Sequence, residues 1–250
     1  ELTQSQTILQ NQIERMGDHF FKQGAMVIPG QVGLDTDYYA VKLSSIGSGL
    51  TLSDFASTQL TGGTSGVLGT VINSVATDGS DPDTLYVKYD KTGTNNTTVV
   101  FSDGETITGT NSSGTSLTAV VSTTAVGSAA SVKSGVYYIN GYFVQVSDET
   151  LILDKYTNTP SYRVGFTVTE SFVTPSDDSS LNDNAAGSSN VNAPGAHRFK
   201  ISLALAKKTL ASTEDSNFFE VMRVENGVIR ALARATEYNI LEETLARRTF

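Results

Sequence analysis

The element that most restricts the fold is the run Val136-Tyr137-Tyr138-Ile139-Asn140-Gly141-Tyr142-Phe143-Val144-Gln145-Val146. Two β-rich segments are separated by Asn-Gly alone, the residue pair that best tolerates the two positive φ angles of a type I′ turn. A chain that closes a hairpin here is committed to antiparallel β-structure. The same commitment recurs downstream. Tyr162, Val164, Phe166 and Val168 alternate with their neighbours, and Phe199, Ile201, Leu203 and Leu205 repeat the pattern. Each run turns one apolar face inward, and the two faces are expected to share a core. Leu151-Ile152-Leu153 and Tyr162–Val168 read as further strands of the hairpin's sheet, connected by Thr157-Asn158-Thr159-Pro160. Glu225-Asn226-Gly227, between Phe218–Val224 and Val228–Leu232, reads as a second hairpin turn.

The ends of the chain read as helical. In residues 3–16, TQSQTILQNQIERM, the apolar positions Leu9, Ile13 and Met16, continued by Phe20, recur at helical spacing, and Gly17 offers a stop. This stripe either packs on the body or forms a seam with other copies. About two heptads make a weak free-standing coiled coil, so packing is the expected role. Ala25–Ile28 then reads as a strand ending at the turn pair Pro29-Gly30, with Tyr38–Leu43 as the next strand. A closing helix is expected over Thr236–Arg248, with Tyr238, Ile240, Leu241 and Leu245 apolar, Thr236 as cap, and Arg247-Arg248 favouring the dipole.

Between about Ser48 and Ser131 the composition shifts to Gly, Ser, Thr and short strands such as Leu85–Tyr89 and Val99–Phe101. The segment contains an internal echo. Leu60-Thr61-Gly62-Gly63-Thr64-Ser65-Gly66 and Gly69-Thr70-Val71-Ile72 return, about 47 residues later, as Ile107-Thr108-Gly109-Thr110 and Leu117-Thr118-Ala119-Val120-Val121. Two such β units closing on each other make a small barrel or sandwich, because closure removes exposed edges. Chance self-similarity of a Thr/Gly/Ser-rich text is the alternative. The expected fold is mainly β with short N- and C-terminal helices: a β-sandwich-like body carrying an inserted small β-barrel or sandwich. Residues 1–47 would supply the helix and first scaffold strands, 48–131 the insert, and 132–250 the rest of the scaffold.

Composition narrows the function. At 250 residues the chain can bury a substantial core, and its net charge of −9 repels phosphate backbones, so nucleic acid is not an expected partner. The absence of Cys removes disulfides, thiolate metal sites and Cys nucleophiles. No apolar run approaches the roughly 20 residues that span a bilayer, so membrane insertion is not expected. The chain starts at Glu1 without Met and ends at Phe250 just after a helical segment, which reads as the ordered or expressed part of something longer.

Few residues invite a chemical role. His19 and His197 lie in no metal-ligand spacing, and no Gly-x-Ser-x-Gly elbow accompanies either. His19 reads as structural at a helix end, and His197 stands beside Arg198. Asp78, Asp81 and Asp83 resemble a calcium loop superficially but lack the EF-hand register, and read as a solvated turn. Asp177, Asp178 and Asp183 either gather around a cation or accept hydrogen bonds from loop amides or from Arg198. Gly62–Gly66 has no following Lys to make a phosphate cradle. No residue is assigned a catalytic, cofactor-binding or metal-ligating role, and the chain is not expected to be an enzyme.

The segment Asp177–Arg198, DDSSLNDNAAGSSNVNAPGAHR, has the composition of a linker but not its interchangeability. Asn and Asp cap local backbone and tolerate left-handed conformations, and Pro194-Gly195 fixes a turn. It resembles the signature loop of an uncharacterised family of virion proteins from contractile-tailed phages, especially those infecting cyanobacteria. The resemblance spans roughly residues 10–50 and 134–250, including the Gly135–Val146 hairpin and Val164-Gly165-Phe166. Phe101–Gly109 also resembles small β modules of other phage tail proteins. The resemblance implies a structural component of a tail baseplate or fibre-attachment apparatus, located in the virion and assembled in the host cytoplasm. It carries over no catalytic residues. The implied partners are other tail or baseplate proteins and further copies of the chain. In a cyclic assembly a trimer would bury the Ile8, Leu9, Ile13 and Met16 face. The alternative is an adhesin module in which the 48–131 insert binds a receptor or host-surface glycan. A third reading, a polysaccharide depolymerase, has no motif behind it.

Overall fold

The computed structural model describes residues 2–28, 30–184, 187, 192–195, 197–212, 215–233 and 240–249. Helix α1 (Leu2–Phe20) leads into β1 (Met26–Ile28), β2 (Val32–Ile46), β3 (Gln59–Gly62), β4 (Leu68–Val75) and β5 (Thr84–Lys91). There follow β6 (Thr106–Thr110), β7 (Ser116–Val132), β8 (Gly135–Ile139), β9 (Tyr142–Val146) and β10 (Glu149–Asp154). The chain closes with β11 (Tyr162–Val173), β12 (Arg198–Thr209), β13 (Phe218–Glu225), β14 (Val228–Leu232) and α2 (Ile240–Arg248). It is mainly β, with a short helix at each end.

One sheet has the strand order β10-β7-β2-β5-β4-β3-β6, and β6 pairs with β7 as well as with β3. Strands β2 to β7 therefore close into a six-stranded antiparallel barrel, which leaves no edge among them. Val41 and Leu43 (β2), Leu60 (β3), Val71 (β4), Leu85 and Val87 (β5), Ile107 (β6), and Leu117, Ala119 and Val121 (β7) fill it. Phe55, Val67 and Phe101 plug it from the connections. Each large apolar side chain so buried stabilises the barrel by about 1.5–3 kcal/mol. Val99–Phe101, expected as a strand, is irregular. The Phe101 N–H donates to the Tyr89 hydroxyl (3.2 Å) instead of joining a ladder.

The internal echo is the trace of a topological two-fold. Units β2-β3-β4 and β5-β6-β7 occupy equivalent places in the ring, and each pairs with the other at the axis. Thr61 faces Thr108, its own counterpart, while Leu60 faces Gly109 and Gly62 faces Ile107. The β2–β5 pairing likewise brings Ala40 opposite Tyr86. Antiparallel pairing of a segment with its own copy is what a two-fold axis produces.

The insert is not a bead on a string. Beyond the barrel, the N-terminal end of β2 and the C-terminal end of β7 continue as a ribbon into the scaffold, where Val32, Leu34, Ala130 and Val132 join its core. A residue 47/48 boundary falls just past β2, yet β2 already supplies Val41 and Leu43 to the barrel. The scaffold adds a three-stranded sheet, β1-β8-β9, and a four-stranded one, β12-β11-β13-β14. Met26, Tyr137, Ile139, Val146, Leu153, Val164, Phe166, Val168, Leu205, Val221, Met222 and Val224 form the core they share with β7 and β10.

Local turn chemistry sets several of these elements. Asn140 and Gly141 have φ of 50° and 81°, and Asn226 and Gly227 of 51° and 74°. Each pair closes a two-residue hairpin, Ile139 facing Tyr142 and Glu225 facing Val228. The expected shared core of the runs before and after the 177–198 segment is also found, since β11 and β12 pair in full from Tyr162↔Thr209 to Val173↔Arg198. Three expectations are corrected. Leu151–Leu153 and Tyr162–Val168 leave the hairpin's sheet, because β10 pairs with β7, and β11 with β12 and β13, rather than with β9. Phe199 is exposed, because the distal end of the β11–β12 hairpin projects past the core. Gly17 does not stop α1. The helix runs on to Phe20, and Gly17 is required by close approach, since a Cβ there would lie 2.5 Å from the Tyr138 hydroxyl oxygen.

Two edge strands are capped by each other's side chains. The Glu149 carboxylate of β10 accepts the Leu205 N–H of β12 (3.0 Å), and the Lys207 ammonium of β12 donates to the Ile152 (3.3 Å) and Leu153 carbonyls of β10. Such capping satisfies backbone groups that would otherwise template aggregation. Within the barrel, the buried Glu105 carboxylate accepts from the N–H groups of Thr64 (3.0 Å), Ser65 (2.9 Å) and Ser102 (2.6 Å) and from the Ser65 hydroxyl (2.9 Å). Burial raises its pKa, but these donors outweigh burial and hold it low. Glu105→Ala should cost about 3 kcal/mol in urea unfolding, because it strands buried amides. A loss under about 1 kcal/mol would show that water replaces the carboxylate.

Candidate functional site

The 177–198 segment is built at its base like a fold element. Asp177 accepts the Thr174 N–H (3.0 Å) and hydroxyl (2.7 Å), and Asp178 accepts the Ser180 N–H (2.9 Å). The Thr174 N–H and hydroxyl hold the Asp177 carboxyl below the usual range, and the Ser180 hydroxyl and N–H do the same for Asp178. His197 and Arg198, nearby, add smaller effects in the same direction. Leu181 is buried, Asn182 bridges Pro194, and the Asp183 and Asn192 N–H groups donate to the Ala193 and Asp183 carbonyls (2.9 and 3.0 Å). A Cβ on Gly195 would lie 2.0 Å from the Leu181 carbonyl oxygen. Asn184 is exposed, and Asn190 lies outside the described residues. Gly195→Val should therefore lower the unfolding midpoint, whereas Asn184→Ala should change stability by less than about 0.5 kcal/mol.

His19, exposed at the end of α1, donates from Nδ1 to the Arg15 carbonyl (2.7 Å). Among the described residues no group of three or more His, Cys, Asp or Glu side chains is placed to hold a metal ion, and no helix is long and apolar enough to cross a membrane.

Asp78, Asp81 and Asp83 are occupied by protein donors. Asp78 accepts from the Ser80 N–H (3.1 Å) and hydroxyl (2.8 Å) and the Asp81 N–H (2.9 Å), and Asp83 from the Thr77 N–H (2.9 Å). Asp81 sits where barrel and scaffold meet. Its carboxylate accepts the Tyr156 hydroxyl and faces the Lys155 and Lys42 ammonium groups, each at 3.1 Å. The Lys42 ammonium also lies 3.7 Å over the Tyr156 ring. Behind them Tyr38 and Tyr86 stack with ring centroids 4.8 Å apart. The Tyr156 hydrogen bond, with smaller help from Lys155 and Lys42, holds Asp81 down to about 2. Its folded-state pKa is depressed, so its stabilisation is complete above the ordinary value of 3.8 and fades as pH falls towards 2. Asp81→Asn should be less stable than wild type at pH 6 by urea denaturation, and the gap should close progressively below pH ~4.

A third feature is an exposed apolar surface. Helix α1 docks through Tyr138, whose hydroxyl donates to the Glu14 carbonyl and the Asp18 carboxylate (3.0 Å each), and through Gln10, bonded to the Tyr142 hydroxyl. Its apolar stripe lies beside that contact and stays largely open to solvent. Leu9, Ile13 and Met16 are 58, 57 and 65% exposed. Leu9 and Ile13 form a groove with Tyr142 and the exposed Phe143. Tyr142 contacts Phe199 (centroids 5.3 Å), and Phe199 contacts Phe172 (5.8 Å), itself 66% exposed. The expectation that this stripe packs on the body is thus corrected: the polar flank of the helix does the packing. Phe143 and Phe172 escaped sequence reasoning, because alternation alone does not say where a hairpin outruns its core.

A fourth feature is a groove of about 560 Å³ on the barrel, lined by Asp35, Asp37, Tyr39, Tyr89, Asp90 and Lys88 among others. Tyr39 and Tyr89 meet edge to face with centroids 5.1 Å apart, and Tyr89 meets the buried Phe101 in the same way at 5.2 Å. A signal for it lies in the sequence: Asp35-Thr36-Asp37, followed by Val41-Lys42, returns as Asp81-Pro82-Asp83, followed by Val87-Lys88.

Together these features define a mainly β protein in which a two-fold barrel and a sandwich-like scaffold are threaded on common strands. Residues 79–250 match the model of a family described as a domain of unknown function, DUF4815, and the chain belongs to that family. The match begins in the connection before β5, so it takes in the second barrel unit, the later scaffold strands and α2. No curated protein and no solved structure matches the chain.

Proposed function

We propose that this protein is a structural component of a phage tail baseplate or fibre-attachment apparatus and that it works by protein–protein assembly. The virion setting rests on the resemblance of the 177–198 segment. The mechanism rests on one observation: beside the exposed Leu9, Ile13 and Met16 of α1, an apolar surface runs from Leu9 and Ile13 through Tyr142 to Phe199 and Phe172 and stands open to solvent. Contiguous apolar surface of this kind is what association buries. The occupant is a second and third copy of the chain, for which α1 supplies a stripe too short to associate alone but already braced on a rigid sheet. Bracing removes part of the ordering cost that a free helix would meet on association. In this role the chain displays surfaces and performs no turnover.

Sedimentation of the isolated protein should show a trimer, and Leu9→Glu with Ile13→Glu should give a folded monomer with unchanged far-ultraviolet dichroism. Wild-type protein that stays monomeric at high concentration would overturn self-association through this face. The setting is tested separately by a map of the intact tail, where density for the chain in the baseplate supports it and absence from the tail refutes it.

A further inference from the structure

The two copies of the Asp-x-Asp-x-x-x-Val-Lys motif, 35–42 and 81–88, pair antiparallel with each other, since Tyr39 faces Val87 and Lys42 faces Thr84. The pairing places Asp81 and Lys42 at one end of the strand pair and their counterparts Asp35 and Lys88 at the other. The first end is filled. Lys155 and Tyr156, from the connection after β10, bring an ammonium and a phenol onto the Asp81 carboxylate, and the Tyr156 ring lies under Lys42. At the second end Asp35 and Lys88 instead line the open groove, with Asp37 as a further acceptor and the Tyr39 and Tyr89 rings as its aromatic wall, while Asp90, also in the lining, accepts from Gln59 (3.1 Å) and Thr70 (2.6 Å).

From this internal comparison we infer that the groove receives a segment of a partner protein carrying a lysine next to a tyrosine, in the manner in which Lys155-Tyr156 fills the equivalent end. The ammonium goes to the carboxylates of Asp35 and Asp37, and the phenol lies by Lys88 with its hydroxyl on a carboxylate. Charge agrees with this occupant, because the groove carries three Asp against Lys88 and Lys91, on a chain of net charge −9. The size agrees as well, since about 560 Å³ accommodates two large side chains. The chain's own Lys155-Tyr156 is committed to Asp81, so the segment comes from another protein. This site is separate from the α1 surface and does not depend on the virion setting.

The test uses the whole chain and a synthetic peptide copying Ile152–Asn158, the segment that fills the equivalent end. Titration followed by amide chemical shifts should perturb residues 35–39 and 88–92. A peptide carrying Lys155→Gln and Tyr156→Phe should bind about tenfold more weakly, since it removes a charge-assisted contact and a hydrogen bond. Asp35→Asn with Asp37→Asn in the protein should weaken the unmodified peptide similarly. Three results would overturn the inference. One is no groove shift at about 1 mM peptide, equivalent to the weakest binding worth the name. Another is equal binding of the altered peptide, which needs no protein variant to fold. The last is shifts confined to Asp81 and Lys42.

Discussion

Everything in this molecule hangs on the pairing of β2 with β7. From Val32↔Val132 to Ile46↔Ala119 the two strands run together through both cores, so one ribbon ties a closed barrel to an open scaffold. A continuous ladder would be a stiff, gently twisting rod. Irregularities in register between Asp35 and Tyr38, and again around Leu43, bend it and turn its side chains from one core to the other. At the bend Gly127 is indispensable for space, since a Cβ there would lie 2.5 Å from the Lys155 carbonyl oxygen and 2.9 Å from that of Asp154. That crossing delivers Lys155 and Tyr156 to Asp81. The ribbon therefore positions the polar lock between the two bodies as well as joining them.

What could be read from sequence was what is local. Both Asn-Gly turns are found with the φ values that the residues favour, and the alternation of Val164, Phe166 and Val168 is found as burial. What escaped was partnership. Nothing in Leu151–Leu153 says whether β10 continues beside β9 or crosses to β7, because an apolar strand satisfies either neighbour. The shift in composition after Ser48 marked where the text becomes Gly- and Thr-rich, but barrel closure recruits strand β2 from before it. The duplication was visible in the Gly- and Thr-rich segments of β3 and β4 and their counterparts in β6 and β7. Its more specific copy, two Asp-x-Asp-x-x-x-Val-Lys motifs, lies partly outside the Gly-, Ser- and Thr-rich segment.

The reversal at α1 has a physical reason. An amphipathic pattern identifies the apolar side of a helix and leaves open what that side meets. Here the sheet beneath presents Tyr138, a ring whose hydroxyl must be satisfied once buried. The Glu14 carbonyl and Asp18 carboxylate accept from it, and Gly17 lets the ring come close, so the polar flank becomes the docking face. The same choice leaves Leu9, Ile13 and Met16 unburied. A helix held by hydrogen bonds while its apolar stripe faces water is stable only because the rest of the fold supports it, and association would recover the unused burial.

Duplicated barrels begin with two equal ends. Here one end was absorbed by the scaffold, through Lys155 and Tyr156, and the other kept the same acidic and basic residues around an open groove. Asp35 closes a local turn by accepting the Asp37 N–H (2.8 Å), as Asp78 does with the Ser80 N–H (3.1 Å), so local pairing alone does not set the groove apart. The space is what distinguishes the two ends. A chain that already solves the problem of holding a lysine and a tyrosine at one end of a strand pair has, at the other, most of the chemistry needed to hold a neighbour's.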